Sequence, residues 1–250
     1  MKLLKAMAIA FSIYSKIPVP QFEWKEEDME YMMCFFPWIG GVIGMFFFGW
    51  AVLCEKFAVG NVCYALIGAA IPLMISGGFH VDGYMDTMDA FHSYQSREKK
   101  LEILKDSHIG AFAAIMLALY YMIDIAAISE IHTQKAVSAV AAVFFLARCF
   151  SGIAVMTLQP AKKEGLLYTF ASSAQKVRVK AALYFQAALC VAIMLLVSGW
   201  YGAAAIGAAL LSFFYFKKKS YKELGGITGD TAGFFVTVCE AAAAAAVAVA

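Results

Sequence analysis

GGFHVDGYMDTMDAFHSYQSREKKLEILKDSHIG, residues 77–110, separates two long apolar runs. It holds Asp82, Asp86, Asp89 and Asp106, and three of the chain's four histidines, His80, His92 and His108. A helix over 82–89 sets the first three acids at i, i+4 and i+7, within about 60° of one another at ~100° per residue. Three carboxylates on one stripe repel unless a cation sits among them, and oxygen ligands suit a hard divalent ion such as Mg²⁺. The competing reading is a solvated acidic helix end. Only 15% of the residues are charged, and Gly83, Tyr84, Met85, Thr87 and Met88 are not the lysines and glutamates of a wet face. The spacing favours the metal.

Composition decides the solvent. The 250 residues are 62% hydrophobic with mean hydropathy +0.73, against ~45–50% apolar in an average soluble domain. The expected fold class is all-α, a polytopic transmembrane helix bundle, with residues 1–250 as one integral-membrane catalytic domain. A formal net charge of +2 gives no reason to expect a nucleic-acid partner. The six cysteines are scattered without a CxxC pair and read as buried, inert thiols. Lys2 and Lys5 precede an apolar run only from Ala6 to Ile13, too short to span. No small-residue cleavage site follows it. The run reads as an interfacial helix ended by Pro18 and Pro20. Residues 21–30 are acidic and read as a helix on the water side.

Seven runs approach or reach the ~20 residues that cross hydrocarbon: 34–54, 58–77, 109–129, 136–157, 181–199, 201–216 and 232–250. Pro37 is read as opening the first, Gly40 and Gly44 as its contact face, and Pro72 as a kink in the second. Ser198 to Tyr201 is a tight turn that pairs the fifth and sixth antiparallel. Seventeen of the twenty Lys and Arg fall in four segments. Lys2, Lys5, Lys16 and Lys25 precede the first run; Arg97, Lys99, Lys100 and Lys105 follow the second. Lys162, Lys163, Lys176, Arg178 and Lys180 follow the fourth; Lys217, Lys218, Lys219 and Lys222 follow the sixth. The alternation places the N-terminus and all four segments in the cytoplasm, at the cell inner membrane. The stretches 78–108 and 217–233 therefore share one face.

The second constellation is GGITGDTAG, residues 225–233, which opens the last run. Glycines let backbone approach a phosphate, and a following helix start attracts anions. Asp230 is a further metal ligand or a base; Thr228 and Thr231 bond phosphate oxygens or cap the helix. The alternative is a packing face of Gly225, Gly229 and Gly233. Arg148 and Glu240 lie inside runs and should face the bundle interior. Two readings of Arg148 stay open: a phosphate clamp, or an internal pair with Glu240 or Asp124. Asp124 is placed near the outer end of its run, snorkelling. His108 beside Asp106 is read as capping the third run. His80 and His92 are read as hydrogen-bonding groups rather than metal ligands.

Clustered carboxylates, an arginine, glycines and basic loops at one membrane face suit transfer of a phosphoryl-linked group from a pyrophosphate donor. Three motifs carry a resemblance: GGFHVDGYMDTMDAF (77–91), KDSHIGAF (105–112) and GGITGDTAG (225–233) with Glu240. KIPVP (16–20), FFPWIGGVIG (35–44) and Ala147-Arg148 accompany them. The chain resembles the adenosylcobinamide-GDP ribazoletransferases, the cobalamin synthases, over nearly its whole length. It departs from their pattern at Lys16 and His108, where an arginine is usual, and at Thr237, where an acid is common.

The resemblance implies a Mg²⁺-dependent membrane transferase that joins adenosylcobinamide-GDP to α-ribazole or α-ribazole 5′-phosphate. The products are adenosylcobalamin or its 5′-phosphate, and GMP. With the spacing, it assigns the metal to Asp82, Asp86, Asp89 and Asp230, and the catalytic role to Asp82, Asp86, Asp106 and Asp230. His80, Lys105, Arg148, Thr228 and Gly229 fall on the substrate. The lipid bilayer is the other partner, and a homo-oligomer is compatible with the sequence. Three rivals share part of this pattern; one, a prenyltransferase, uses two aspartate-rich motifs, whereas the second site here offers only Asp230. A CDP-alcohol phosphotransferase needs Asp-Gly-x-x-Ala-Arg, and Asp86-Thr87 breaks it. An ion-coupled transporter would place its acids at the midplane and show an inverted repeat.

Overall fold

The described residues, 2–20, 23, 25–162 and 176–250 of a computed structural model, fold into helices alone. In chain order they are α1 (Lys2–Tyr14), a 3₁₀ turn (Glu26–Met29), α2 (Met32–Lys56), α3 (Asn61–Ser76), α4 (Phe79–His92), α5 (Arg97–Ile103), α6 (Ala111–Ile128), α7 (Gln134–Thr157), α8 (Lys176–Ser198), α9 (Trp200–Leu224) and α10 (Gly229–Ala248). The all-α expectation holds. The helix expected over residues 21–30 shrinks to the single 3₁₀ turn, and Gln21, Phe22 and Trp24 lie outside the described residues, as does Lys163.

Five helices, α2, α6, α7, α8 and α10, are long and apolar enough to cross a membrane, and α3 with α4 forms a sixth candidate bent by 97°. The remaining run, 201–216, is the apolar first part of α9, whose last turns carry Lys217, Lys218, Lys219 and Lys222. All seven runs read from the sequence therefore fall on helices, and the chain is a multi-pass membrane protein. Outward-facing Ile115, Leu119 and Met122 on α6 and Leu189 and Leu196 on α8 are exposed. An apolar outer face of this kind suits contact with lipid.

Helices α7 and α10 form the centre, because small residues let their neighbours approach. A Cβ at Gly40 would stand 2.0 Å from the Phe144 carbonyl oxygen, and one at Gly44 2.2 Å from that of Ala141. α2 and α7 thus pack backbone to backbone, as the spacing of the two glycines led us to expect. Pro37 lies inside α2 rather than opening it, because the helix starts at Met32. Its ring leaves the Met33 carbonyl without a helical donor. Gly199, at φ 57°, makes the turn between α8 and α9, and a Cβ at Gly202 would stand 2.3 Å from Met194 O.

Hydrogen bonds fasten the two ends of the bundle. At one end Tyr64 Oη donates to Ile131 O at 2.6 Å and Asn61 Nδ2 to Ser129 O at 3.0 Å. At the other end Lys16 N donates to Ile75 O at 2.8 Å, Gln159 N to Tyr221 Oη at 2.8 Å, and Lys162 Nζ to Leu101 O at 2.8 Å. Lys100, buried, pairs with Glu223 at 2.5 Å and joins α5 to α9. That salt bridge holds the Glu223 carboxyl below its ordinary range. The described members of the four basic segments gather at this second end.

Candidate active site

The site is built where α4 crosses the start of α10. Bent by 97° from α3, α4 lies across the start of α10. The turn is made by Gly77 and Gly78, at φ 69° and 86°, a region open to glycine and costly to other residues. The crossing is close because glycines meet there. A Cβ at Gly83 would stand 2.8 Å from Asp230 O, and one at Gly233 3.1 Å from His80 O. Tyr84 stacks on Phe234 at 5.9 Å, and Thr237 Oγ1 donates to His80 O at 3.2 Å. Gly83 and Gly233 are thus packing residues, and their packing brings Asp82 beside Asp230.

A cavity of about 560 Å³ opens at this crossing. Asp82, Lys105, Lys162, Thr228, Gly229 and Asp230 supply its polar wall, while Phe36, Met33 and Val155 belong to its apolar wall. Gly229 has no heavy atom within 4 Å of where a Cβ would be, so it faces open space rather than a neighbouring helix. The loop before α10 is held by two strand-like bonds, Ala161 N to Ile227 O at 2.8 Å and Ile227 N to Gln159 O at 3.0 Å. This pairing carries Lys162 to the cavity. Sequence reading had placed Lys162 only among the basic residues of its loop. Its signal was the charge; its place depended on the pairing with 227.

Several residues singled out in the sequence stand away from the cavity. Asp89 is the cap of α6: its Oδ2 accepts from Gly110 N at 2.7 Å and its Oδ1 from Ala113 N at 2.8 Å. The cap expected from His108 is therefore supplied by a residue on another helix. Asp106, with 56% of its side chain exposed, pairs with His108 Nδ1 at 2.6 Å away from the cavity. That hydrogen bond holds the Asp106 carboxyl below its ordinary range. Arg148, 1% exposed, donates to Glu240 Oε1 at 2.7 Å and Phe144 O at 2.8 Å. Of its two readings, the geometry is that of the internal pair. Asp124 is buried and faces the bundle instead of snorkelling. His92 Nδ1 meets Met88 O at 2.8 Å, within its own helix.

His80 lines the cavity, 5% exposed, with both ring nitrogens unbonded. Its ring lies parallel to Tyr14 at 6.2 Å and beside Phe36 at 5.6 Å. Thr228 forms a reciprocal cap with Thr231, at 2.8 and 3.1 Å, and its hydroxyl donates to Asp230 Oδ2 at 3.4 Å. Thr228 therefore both starts α10 and orients Asp230.

Electrostatics mark Asp86. Burial first, then the carboxylates of Asp82, Asp230 and Asp89, push its carboxyl up to about 7. Acids that hold one another protonated near neutral pH are a ready cation site. Among the described residues, however, no three His, Cys, Asp or Glu side chains converge as a finished metal cage. Magnesium needs no such cage: it is commonly held by one or two carboxylates plus substrate phosphates and water. Asp82 and Asp230, with Asp86 close by, fit that pattern. Asp89, with both oxygens accepting backbone N–H groups, does not.

Carboxylates, lysines and a glycine-opened helix start around one cavity suit chemistry on a phosphate ester. A family model described as cobalamin-5-phosphate synthase matches residues 6–248, and the chain belongs to that family. It is 44% identical over 250 residues to the adenosylcobinamide-GDP ribazoletransferase of Lachnoclostridium phytofermentans, covering 100% of this chain and 95% of the relative. It is 30% identical over 242 residues to the ribazoletransferase of Clostridium botulinum strain Alaska E43, covering 95% and 94%. No solved structure matches the chain.

Proposed function

We propose that the chain is an adenosylcobinamide-GDP ribazoletransferase. It joins adenosylcobinamide-GDP to α-ribazole or α-ribazole 5′-phosphate and releases GMP. The observation that carries this reading is the convergence of Asp82, Asp230, Lys105 and Lys162 on one cavity, in a chain whose full-length relatives bear that name.

Release of GMP dictates which bonds change. A hydroxyl of the ribazole attacks the phosphorus on the cobinamide side of the diphosphate. The new bond joins that oxygen to phosphorus; the bond to the bridging oxygen breaks, and its electron pair leaves with GMP. Lys105, Lys162 and the glycine start of α10 bind the diphosphate, drawing on ammonium charge and on backbone N–H groups at a helix N-terminus. Asp82 or Asp230 accepts the proton of the attacking hydroxyl. Thr228 orients Asp230 for either duty. The apolar wall excludes water, which would otherwise hydrolyse the donor. Asp82 and Asp230, with Asp86 close by, would hold Mg²⁺, which when bound would neutralise charge on the diphosphate and on the departing phosphate.

The described members of the four basic segments lie at the cavity end of the bundle. Under the positive-inside rule this puts the N-terminus and the site on the cytoplasmic side of the cell membrane. There both polar substrates are available without crossing it.

The test uses membranes containing the chain, supplied with Mg²⁺, adenosylcobinamide-GDP and α-ribazole. A corrinoid product formed one-for-one with GMP supports the reading. Absence of GMP release, or uptake of corrinoid without nucleotide turnover, removes it.

A further inference from the structure

A second cavity, of about 530 Å³, lies on the other side of the first turn of α4, and Phe79 and Asp82 line both cavities. One carboxylate thus stands between two separate spaces. The Asp82 side chain makes no hydrogen bond or ion pair among the described residues, so its carboxylate oxygens are committed to neither side.

The two spaces differ in charge. The first has two lysines and the start of a helix. The second has one cation, Lys16, with Ser12, Ser15 and Ser76 near it. Lys16 is exposed, with its backbone and stem anchored. Its backbone N–H donates to Ile75 O at 2.8 Å, and its aliphatic chain lies on Gly77, where a Cβ would stand 2.3 Å from Lys16 Cε. Among the described residues no carboxylate pairs with it. Away from Lys16 the cavity becomes apolar, between Leu73, Val81, Met85, Leu117 and Tyr121. A single cation at one end and an apolar slot at the other fit a monophosphate ester carrying an aromatic or hydrocarbon body.

We propose that this second cavity is the acceptor subsite, with Lys16 binding the phosphate of a phosphorylated acceptor and the apolar slot its aromatic base. The inference rests on the proposed transferase activity. A displacement between two substrates needs both at one phosphorus and one base, and two cavities meeting at Asp82 provide that arrangement. Lys16 then decides preference: it selects an acceptor that carries phosphate over one that does not. A phospholipid headgroup has the same chemistry and is the other source of such a ligand.

The experiment measures KM for α-ribazole 5′-phosphate and for α-ribazole, with adenosylcobinamide-GDP saturating, in bilayers of phosphatidylcholine with and without phosphatidylglycerol. Losing a charge-assisted contact of about 1.5–3 kcal/mol corresponds to ~10- to 100-fold in affinity. Lys16→Ala should raise the ratio of the phosphorylated to the unphosphorylated KM by that factor, and Lys16→Arg should restore most of it. Leu117→Trp, which fills the slot, should raise KM for both acceptors more than for the donor. An unchanged ratio in Lys16→Ala, or a change that falls on the donor KM instead, overturns the assignment. So does a Lys16→Ala effect confined to the dependence on phosphatidylglycerol, which would make the occupant a lipid. If the wild type releases no GMP with either acceptor, the transferase reading itself fails. The cavity is then judged by calorimetric binding of α-ribazole 5′-phosphate alone. Binding weakened by Lys16→Ala keeps the phosphate site, and binding insensitive to it discards the site.

Discussion

Asp89 on α4 accepts the backbone N–H of Gly110 at the start of α6, at 2.7 Å. One carboxylate of the aspartate stripe is thereby turned from chemistry to architecture. A Cβ at Gly110 would stand 2.5 Å from the same carboxylate, so the glycine is what lets the contact close.

Asp89 and Asp82 should therefore fail in different ways. Asp89→Ala removes an N-cap and should cost about 1–2 kcal/mol of stability, seen as a lowered unfolding temperature in detergent. Asp82→Asn should leave that temperature nearly unchanged and lower GMP release by ~10²-fold or more. Equal losses of stability in both variants would contradict the division of labour.

Divalent-ion binding should depend on pH in a definite direction. The Asp86 carboxyl is raised from 3.8 to about 7, so the folded protein holds a proton there that the unfolded chain releases. Stability without metal should fall as pH rises from ~4 to ~7, because the folded state binds more protons in that window. Mg²⁺ requires the ionised form. The rise in unfolding temperature caused by Mg²⁺ should thus be larger at pH 8 than at pH 6. Asp86→Asn should flatten both trends.

The buried pair of Arg148 and Glu240 joins α7 to α10 at 2.7 Å. Removing one partner leaves the other charge uncompensated, at a cost of about 3–5 kcal/mol. Arg148→Met and Glu240→Leu should each reduce the folded fraction. Arg148→Met combined with Glu240→Leu should recover part of that loss. A strictly additive double-mutant cycle would show that the two side chains do not interact.

Gly44→Val places a side chain where Ala141 O already stands, 2.2 Å from the first added atom. Overpacking of this kind costs about 1–3 kcal/mol. Fluorescence size-exclusion of the detergent-extracted variant should show less monodisperse protein, whereas Gly49→Ala, with open space around it, should match the wild type.

The helices and their apolar character were legible because lipid imposes a local rule: each spanning segment must satisfy its own backbone and present hydrocarbon outward. The Gly40 and Gly44 face and the tight turn at Gly199 followed from short-range spacing. Asp82 and Asp230, from two separate connections, were legible as acids on one membrane face, and they line one cavity.

What was not legible was partner choice. Asp82, Asp86 and Asp89 look equivalent on a helical stripe, yet Asp89 meets the end of another helix. Arg148 reads equally as a clamp or a pair until Glu240 is seen beside it. Lys162 is one basic residue among several until its loop pairs with Ile227.

The order of the residues was sufficient to determine the solvent, the helical class and the set of acids available for chemistry, since these depend on composition and short-range periodicity. Only the tertiary structure decided which acid reaches the cavity, which caps a helix and which cations stand opposite. Those outcomes depend on how closely two backbones cross, and at Gly83 and Gly233 that distance is set by the side chain each lacks.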